Sequence, residues 1–435
     1  MKITVRKKSY AQVMALRRPE HRKPLRPSFL LRCLIRLLAI PDLLSARFRY
    51  TTERMELVGK KEPCLILMNH SSFIDMKAAY GIFFPRRLSF VCTSDAFVGL
   101  NWILRLVGAI PTNKFVSDVR LISDMQYALR EKKSSVLMYP EASYTFDGTA
   151  TPLPRKMGVL LKKLKVPVVT VTTSGAFSRE PLYNCLQKRK NVPVSAHVRC
   201  LLTAEEIAEK SVAELDAMLD EVFTFDGFAW QHKNNIHIDS PTRADGLSRI
   251  LFRCSACGAE GEMEGKGIAL RCKHCGKTWH LDTLGRLQAL KGENRFPHIP
   301  DWYAWQRQEV RRELEEGTYK LDVDVDIGML VDYKAIYMVG SGHLTHTAEG
   351  FTLTGCDGQL EYTQSPLAGY SLYADYYWYE IADVICIGNN DVLYYCFPKN
   401  AGDVVAKTRM ATEELYKLKK KRPARRAKAA EAAEE

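Results

Sequence analysis

The stretch from Leu65 to Asp75 reads Leu-Ile-Leu-Met-Asn-His-Ser-Ser-Phe-Ile-Asp, an apolar run that stops at a polar cluster. The four apolar residues 65–68 suit a buried strand. Beyond the cluster, apolar side chains recur at helical spacing, at Phe73, Met76, Ala79 and Tyr80. A serine at position 71 or 72 is expected to cap this helix. The stretch therefore predicts a strand, a turn that contains His70, and a helix.

His70 and Asp75 are a candidate catalytic pair. They are five residues apart, about one and a half helical turns, so the carboxylate can fold back toward the imidazole. A histidine oriented by a carboxylate is a candidate general base. The alternative is a polar turn that holds a satisfied histidine. Catalysis is favoured because the pair follows a buried strand, the place where parallel sheets carry their chemistry.

The region around this stretch alternates between strand and helix patterns. Strands are predicted at 64–68, 88–92, 136–139, 166–172 and 196–201, with helices at 72–84, 97–107, 118–132 and 156–165. Thr203-x-x-Glu206 and Ser211-x-x-Glu214 are capping boxes that open two more helices. Repeated strand and helix units imply an α/β fold, a mostly parallel sheet flanked by helices.

Three more stretches carry polar residues next to predicted elements. They are Gly108-Ala-Ile-Pro-Thr-Asn-Lys114, Tyr139-Pro-Glu-Ala-Ser143 and Val166-Pro-Val-Val. In this order, behind Asn69-His70-x-x-x-x-Asp75, they resemble the four sequence blocks of the glycerolipid acyltransferase family, specifically the 1-acyl-sn-glycerol-3-phosphate acyltransferases. The resemblance covers about residues 50 to 240. The combination of blocks is far more specific than any one of them.

The resemblance implies transfer of a fatty acyl group from an acyl thioester to the hydroxyl of a lysophospholipid. His70 would take the proton from the hydroxyl, and Asp75 would fix the imidazole tautomer and stabilise the imidazolium. No acyl-enzyme is required. The resemblance also implies substrate-binding roles for the matched polar residues, which are Asn69, Lys114, Glu141, Ser143 and Lys156.

The third block departs from the family pattern. The family commonly has Glu-Gly-Thr-Arg, whereas this chain has Glu141-Ala142-Ser143-Tyr144. Tyr144 cannot act as a bidentate phosphate ligand, and Lys114 in the second block is a point charge rather than a fork. Arg155 and Lys156 are nearby substitutes. The head group of the acceptor is therefore less well defined than the reaction type.

Charge is concentrated at the two ends of the chain. Of a net charge of +13, residues 1–50 carry +11 and residues 417–435 carry +5, so the remainder is slightly acidic. Basic ends around a nearly neutral body fit an anionic surface, either a membrane or nucleic acid. Single cysteines scattered among apolar residues suit a reducing cytoplasm, and residues 1–27 lack the apolar core of a signal peptide.

The segment from Ser28 to Ile40 is apolar but too short to cross a bilayer. Arg32 and Arg36 share one face, opposite a broad apolar face, which is typical of a helix that lies in a membrane interface. A core helix with two solvated arginines is the alternative. We expect a peripheral protein at the cytoplasmic face of the cell membrane, bound to anionic lipid.

Four cysteines form two knuckles after the predicted acyltransferase domain. Cys254-x-x-Cys257 and Cys272-x-x-Cys275 are each followed by glycine, and fourteen residues separate the pairs. Four thiolates at this spacing suit tetrahedral zinc, so a zinc ribbon is predicted. The site should be structural because the four cysteines complete the ligand set. His274 and His280 are then spare residues rather than ligands.

The last part of the chain changes to a period of two. A helix with Gly317 as its stop precedes alternating segments from Leu321 to Phe397, which predict an antiparallel barrel or sandwich. With the helix that follows, the region resembles a pleckstrin-homology-like module. Tyrosines between 370 and 379 are expected to pack in the core. The predicted units are 1–50 membrane-associating segment, 51–245 acyltransferase domain, 246–290 zinc ribbon, 291–317 connecting helix, 318–421 β-rich domain with a C-terminal helix, and 422–435 disordered tail.

The leading hypothesis is a membrane-surface acyltransferase of phospholipid biosynthesis. It would acylate the sn-2 hydroxyl of 1-acyl-sn-glycerol-3-phosphate, with acyl-CoA or acyl carrier protein as the donor, and make phosphatidic acid. Acylation of another lysophospholipid and a non-catalytic lipid-binding adaptor are the alternatives. A nucleic-acid protein is disfavoured because the ribbon has a mixed rather than strongly basic composition, so no nucleic-acid partner is expected.

Overall fold

The structure, a computed structural model, describes residues 2–116, 118–154, 156–185, 187–399 and 403–431. The chain begins with strand β1 (Val5–Lys7), helix α1 (Tyr10–Met14) and helix α2 (Phe29–Ser45). The first domain then contains β2 (Arg49–Glu53), β3 (Leu65–Met68), β4 (Leu88–Thr93), β5 (Ala109–Thr112), β6 (Ser135–Met138), β7 (Val168–Ser174) and β8 (Ser195–Leu202). Its helices are α3 (Ile74–Phe83), α4 (Asn101–Leu106), α5 (Val119–Arg130), α6 (Met157–Leu164), α7 (Ala176–Arg179), α8 (Ala204–Glu209), α9 (Val212–Val222) and α10 (Gly227–Lys233).

The seven strands of the first domain form one sheet in the order β2-β8-β7-β3-β6-β4-β5. Neighbours are parallel except β7 and β8, so the predicted mostly parallel sheet is confirmed. β3 lies near the centre and is buried along its whole length. Its side chains alternate between two cores: Ile66 and Met68 pack toward α2 and α3, and Leu65 and Leu67 pack toward α5, α6 and α9. This alternation places helices on both faces of the sheet.

The boundaries of several local features differ from the prediction. Strands β2 and β5 were not predicted, and β5 lies within the second block. The capping boxes at Thr203 and Ser211 are both formed, as predicted. Helix α2 continues through Pro41 to Ser45, beyond the predicted end at Ile40. Proline is tolerated there because the carbonyl that loses its donor belongs to Leu37, on the exposed side of the helix, where water is available.

The cysteine-rich unit is a four-stranded antiparallel sheet followed by a long helix. Its strands are β9 (Met263–Lys266), β10 (Ala269–Cys272), β11 (Thr278–Leu281) and β12 (Leu287–Ala289), in the order β12-β11-β10-β9. Helix α11 (Ile299–Glu316) packs against this sheet through Trp302, whose ring centroid lies 4.9 Å from that of Trp279. The predicted stop at Gly317 is confirmed, with φ of 75° in the left-handed region.

The second domain is an antiparallel sheet closed off by the last helix. Its strands are β13 (Leu321–Leu330), β14 (Ile336–Thr347), β15 (Gly350–Gly355), β16 (Leu360–Gln364), β17 (Tyr373–Trp378), β18 (Ala382–Gly388) and β19 (Leu393–Pro398). They follow the order β16-β15-β14-β13-β19-β18-β17, and β1 adds to β14 in parallel. Among the described residues, β16 and β17 do not pair with each other, so the sheet is not a closed barrel. The pleckstrin-homology-like comparison stays a prediction.

Helix α12 (Val404–Glu431) completes the second domain. It extends past the predicted end at Lys421, so the backbone of 422–431, predicted as disordered tail, is helical, and 432–435 lie outside the described residues. Within the described part of the chain, none of the helices has both the length and the apolar character needed to cross a membrane.

Candidate active site

His70 follows β3 directly, and its imidazole is held by Asp75. Nδ1 of His70 lies 3.2 Å from Oδ2 of Asp75. The same oxygen accepts the backbone N–H of Ser71 at 2.7 Å and that of Ser72 at 3.0 Å. The prediction of a serine cap is therefore wrong: the buried carboxylate of Asp75 binds the free amides of the turn, and no side chain caps α3. With Nδ1 committed to Asp75, Nε2 is the nitrogen available to a substrate.

Two tyrosine rings enclose the imidazole of His70. The ring centroids of Tyr139 and Tyr144 each lie 3.9 Å from that of His70, with interplanar angles of 18° and 28°. Burial lowers the pKa of His70 below its ordinary value of 6.5, and the hydrogen bond with Asp75 opposes this shift. The imidazole is therefore neutral near pH 7, the state that a general base requires.

A cavity of about 790 Å³ lies against His70 and is lined by both domains. The first domain contributes mainly apolar and aromatic side chains, among them Phe73, Met76, Val91, Met138, Tyr139 and Tyr144. The second domain contributes a continuous wall from its aromatic segment, with Tyr370, Tyr373, Asp375, Tyr377 and Tyr379. The volume is in the usual range of pockets that bury a small-molecule ligand.

Lys114 is the one predicted substrate-binding residue that lines this cavity. Its Nζ lies 4.1 Å from the centroid of the Tyr373 ring, and no ion pair of Lys114 is found among the described residues. Asp375 lies on the same cavity wall. Burial raises the pKa of Asp375 to about 6, and the positive charge of Lys114 lowers it. The cavity is therefore lined by one lysine, by the half-buried carboxyl group of Asp375 and by the exposed carboxyl group of Glu380.

Asn69 and Glu141 lie behind the cavity rather than in it. The side-chain oxygen of Asn69 accepts the backbone N–H of Thr173 at 2.7 Å, which ties the end of β3 to β7. Glu141 accepts the backbone N–H of His70 at 2.8 Å through Oε2, while Oε1 accepts both donors of Thr151. Burial raises the pKa of Glu141 to about 7, and these hydrogen bonds oppose the shift. Both residues hold the turn that contains His70 in place.

Ser143 and Lys156 do not line the cavity either. The hydroxyl of Ser143 is buried and accepts a hydrogen bond from Nη1 of Arg409 at 3.2 Å. Lys156 is exposed just before α6. Arg155, the other candidate substitute, lies outside the described residues.

Two residues of the second domain were missed by the sequence analysis. Arg409 on α12 donates from Nη1 to the backbone oxygen of Tyr144 at 3.1 Å, and Asp375 on β17 faces the cavity. The aromatic segment 370–379 was the feature of the sequence that could have indicated the cavity wall. Tyr373, Tyr376 and Trp378 are indeed buried, as expected for core packing, but the same segment also forms the cavity wall.

The four knuckle cysteines converge at a second place, in the cysteine-rich unit. Their Sγ atoms all lie within 4.8 Å of one another, with Cys254 to Cys275 and Cys257 to Cys272 both at 3.8 Å. A tetrahedron with metal–sulfur bonds of about 2.3 Å has sulfur–sulfur edges of about 3.8 Å. The donor set and its dimensions therefore fit a four-thiolate metal site. His274 and His280 are not part of this group.

The first domain thus places a histidine and carboxylate pair beside a mainly apolar cavity. Residues 49–174 match the family model described as Acyltransferase. The resemblance to this family noted in the sequence is therefore confirmed for this part of the chain.

Two individual proteins resemble part of the chain. A chloroplastic 1-acyl-sn-glycerol-3-phosphate acyltransferase of Brassica napus is 27% identical over 124 residues, which are 27% of this chain and 35% of that protein. The chain thus spans about a third of the length of this curated relative. The 1-acyl-sn-glycerophosphate acyltransferase PlsC of Thermotoga maritima is 18% identical, with a TM-score of 0.35, over 44% of this chain and 76% of that chain.

Proposed function

We propose that the protein transfers a fatty acyl group from acyl-CoA or acyl carrier protein to the sn-2 hydroxyl of a lysophospholipid. The observation that carries the proposal is the His70 and Asp75 pair, held at 3.2 Å beside a large apolar cavity in a domain of the acyltransferase family. A non-catalytic lipid-binding adaptor would have no need of an imidazole held with one free nitrogen in such a cavity.

The residues of the turn support a direct transfer. Nε2 of His70 takes the proton of the acceptor hydroxyl as its oxygen bonds to the thioester carbonyl carbon. Asp75 stabilises the imidazolium that forms. The tetrahedral intermediate then expels the thiolate, which takes the proton from the imidazolium and leaves as the free thiol. The C–S bond breaks, the new ester C–O bond remains, and His70 returns to its neutral form.

The oxyanion of this intermediate needs hydrogen-bond donors in the cavity. The hydroxyls of Ser72 and Tyr139 are buried, have no partner among the described residues, and belong to side chains that line the cavity beside His70. Burial raises the pKa of Tyr139 well above its ordinary value, so its hydroxyl keeps its proton and can donate. We assign these two hydroxyls as the donors for the developing negative charge.

Lysophosphatidate, with phosphatidic acid as its product, is the acceptor that the name of the Brassica napus relative supports. Lys114 supplies a cation for its phosphate. The competing acceptor is a lysophospholipid with a larger head group, which the carboxyl group of Asp375 on the same cavity wall favours. Acyl transfer from an acyl thioester to lysophosphatidate, measured with purified protein, tests the first acceptor. No turnover with lysophosphatidate or any other lysophospholipid would refute the proposed function.

Peripheral binding to anionic membranes at the cytoplasmic face of the cell membrane is the second part of the proposal. Helix α2 supports it because its large apolar residues are turned outward, at Phe29, Leu30, Leu34, Leu37, Leu38 and Leu44. Arg32, expected on the solvated face, is buried and donates to the backbone oxygens of Pro85 and Arg86. The arginine therefore anchors the helix to the protein and leaves the apolar face free for lipid.

A structural zinc ion is the third part. Cys254, Cys257, Cys272 and Cys275 would hold it, and four thiolates leave no open coordination position for a substrate. Gly258 follows the first knuckle with φ of 78°, the left-handed conformation that lets the chain turn around the metal. Bound zinc would hold the two knuckles together. The same unit contains Trp279, whose ring contacts Trp302 of α11.

A further inference from the structure

The cavity beside His70 is shared by two domains that are far apart in sequence. Tyr144 and Lys114 belong to the first domain, whereas Asp375, Tyr377 and Tyr379 reach the same cavity from the second domain. A substrate that fills the cavity must therefore touch the second domain.

The second-domain wall is fixed to the first domain by a buried carboxylate. Asp95, which is fully buried, accepts a hydrogen bond from the hydroxyl of Tyr373, from Nε1 of Trp378 at 3.3 Å and from the hydroxyl of Tyr395 at 3.3 Å. Three donors of the second domain thus converge on one residue of the first. Because buried charge is costly unless it is hydrogen-bonded, this contact fixes how the two domains meet at the cavity.

The backbone of the wall is irregular where it lines the cavity. The pairing of β17 with β18 shifts register between Asp375 and Trp378. Tyr377 and Tyr379 then adopt φ values of 49° and 46°, in the left-handed region that bulky residues rarely occupy. A bulge re-aims side chains, and strained backbone of this kind clusters at ligand sites. The irregularity places the side chains of Asp375, Tyr377 and Tyr379 on the cavity wall.

The charges that face the cavity distinguish between possible head groups. Lys114 is the one Lys or Arg side chain among the described lining residues, and two carboxyl groups, the half-buried Asp375 and the exposed Glu380, line the same cavity from the second domain. A phosphate monoester carries about −1.5 to −2 and would meet one cation and two competing acidic side chains, of which Asp375 is the more buried. A phosphodiester that carries an ammonium group has one charge of each sign. It can place the phosphate at Lys114 and the ammonium at Asp375, with tyrosine faces nearby to contact the cation.

We propose that Lys114 and Asp375 form a head-group subsite for zwitterionic lysophospholipids, in which Asp375 of the second domain binds the ammonium group. Asp375 is then the residue that determines specificity for the acceptor. The proposal rests on the proposed acyl transfer and chooses between its two acceptors. It also gives the second domain a role in the reaction, as half of the acceptor site.

The test compares four lysolipids with the same acyl chain as acceptors for the full-length protein. Lysophosphatidylethanolamine and lysophosphatidylcholine carry the ammonium, lysophosphatidylglycerol is a diester without it, and lysophosphatidate is the monoester. We expect kcat/KM for the two ammonium-bearing acceptors to exceed that for lysophosphatidylglycerol by about tenfold, the effect of one favourable charge contact. A cavity that selects by size alone would accept lysophosphatidylglycerol equally well, and this result would overturn the proposal.

A matched pair of variants assigns the effect to one residue. Asp375→Asn should abolish the tenfold preference with little change for lysophosphatidylglycerol. Asp391→Asn makes the same change on an exposed turn of the same domain and should keep the preference. An unchanged preference in Asp375→Asn, or an equal loss for all four acceptors, would contradict the assignment.

A binding measurement separates this proposal from the proposed acyl transfer. The same lysolipids, below their critical micelle concentrations, are titrated by calorimetry into the His70→Ala protein with and without Asp375→Asn. If no acceptor is turned over by the unaltered protein, acyl transfer is wrong, and the binding ratio still decides the subsite. If turnover occurs but neither rates nor binding depend on Asp375, the subsite is wrong and the acyl transfer stands.

Discussion

Nη1 of Arg409 lies 3.1 Å from the backbone oxygen of Tyr144, so the last helix of the chain reaches the third block of the first domain. Nε of Arg409 pairs with Glu413 at 3.2 Å, and Glu413 pairs with Arg307 at 2.6 Å. Burial raises the pKa of Glu413, but Arg307 and Arg409 outweigh it and lower the value to about 2. Because the ring of Tyr144 stacks on His70, this buried cluster connects α12 to the imidazole of His70.

Arg409→Met should therefore reduce activity although residue 409 does not touch the cavity. We expect a fall of about tenfold in kcat with a smaller change in acceptor KM, because Tyr144 would lose a fixed hydrogen bond. Breaking a buried ion pair also costs about 3 kcal/mol of stability, so the melting temperature should fall. Arg311→Met removes a more exposed pair with Glu414 and Glu315 and is the control. Equal effects of the two variants on kcat would refute the connection.

Replacement of His70 by alanine should lower acyl transfer by at least about 100-fold, the usual contribution of a general base. Asp75→Asn should cost as much or less, since the amide oxygen can still accept the amides of Ser71 and Ser72. Circular dichroism and the melting temperature check that both variants are folded. Near-normal turnover in folded His70→Ala protein would rule out its role as the base.

The pH dependence of kcat/KM should report the titration of His70. Burial lowers its pKa below 6.5, and the neutral imidazole is the active form, so activity should be lost as pH falls through a value under 6.5. The interaction with Asp75 raises this pKa, so Asp75→Asn should move the acid limb to still lower pH. A limb that moves upward in the variant would show that another group is being titrated.

The local part of the site was predictable, and the part made by distant contacts was not. The apolar run at 65–68 and the spacing of His70 and Asp75 are short-range patterns, so they predicted both the central strand and the pair. Arg409 and Tyr144 are separated by 265 positions in the sequence, and neither residue has a local pattern that indicates the contact. Asp375 is similar, because the bulge that turns it to the cavity depends on the pairing of β17 with β18.

Helix α2 shows the same limit on a smaller scale. Helical periodicity correctly separated Arg32 from the apolar face, but it could not tell which face meets the protein. The backbone oxygens of Pro85 and Arg86, in the turn after α3, accept hydrogen bonds from Arg32 and show that it points inward. Arg32 is therefore buried rather than solvated, and the apolar face of α2 is exposed.

Membrane binding should depend on this exposed face. The triple variant Leu30→Gln/Leu37→Gln/Leu38→Gln should lower co-sedimentation with anionic vesicles by at least about tenfold, since each exposed leucine contributes roughly 1 to 2 kcal/mol when it enters lipid. Leu290→Gln alters an exposed leucine of the cysteine-rich unit and should have no effect. Deletion of residues 1–44 would be a poorer test, because β1 and Val13 pack in the second domain. Unchanged sedimentation of the triple variant would place the attachment elsewhere.

Purified protein should contain one zinc ion per chain. Cys272→Ser/Cys275→Ser should lose it and lower the melting temperature, because a structural zinc site contributes directly to folding. Cys33→Ser changes a cysteine outside the group and should keep the metal. Metal analysis of protein purified without chelators checks the stoichiometry. Full zinc content in the double cysteine variant would exclude these ligands.

The last prediction concerns Lys114, the cation on the cavity wall. Every acceptor under consideration carries a phosphate, and a buried phosphate without a cationic partner is strongly disfavoured. Lys114→Ala should therefore raise the acceptor KM by at least about tenfold and leave the KM of the thioester nearly unchanged, because the lost contact is with phosphate. Lys114→Arg keeps the charge and should recover part of the loss.

Lys156→Ala is the matched control for Lys114. Both lysines were candidate phosphate ligands in the sequence, but Lys156 is exposed and does not line the cavity. It should behave like the unaltered protein with each acceptor. A larger effect of Lys156→Ala than of Lys114→Ala would indicate that the phosphate binds at the start of α6, outside the cavity that the two domains share. In that case Asp375 could not be the partner of the head group, while the chemistry assigned to His70 would be untouched.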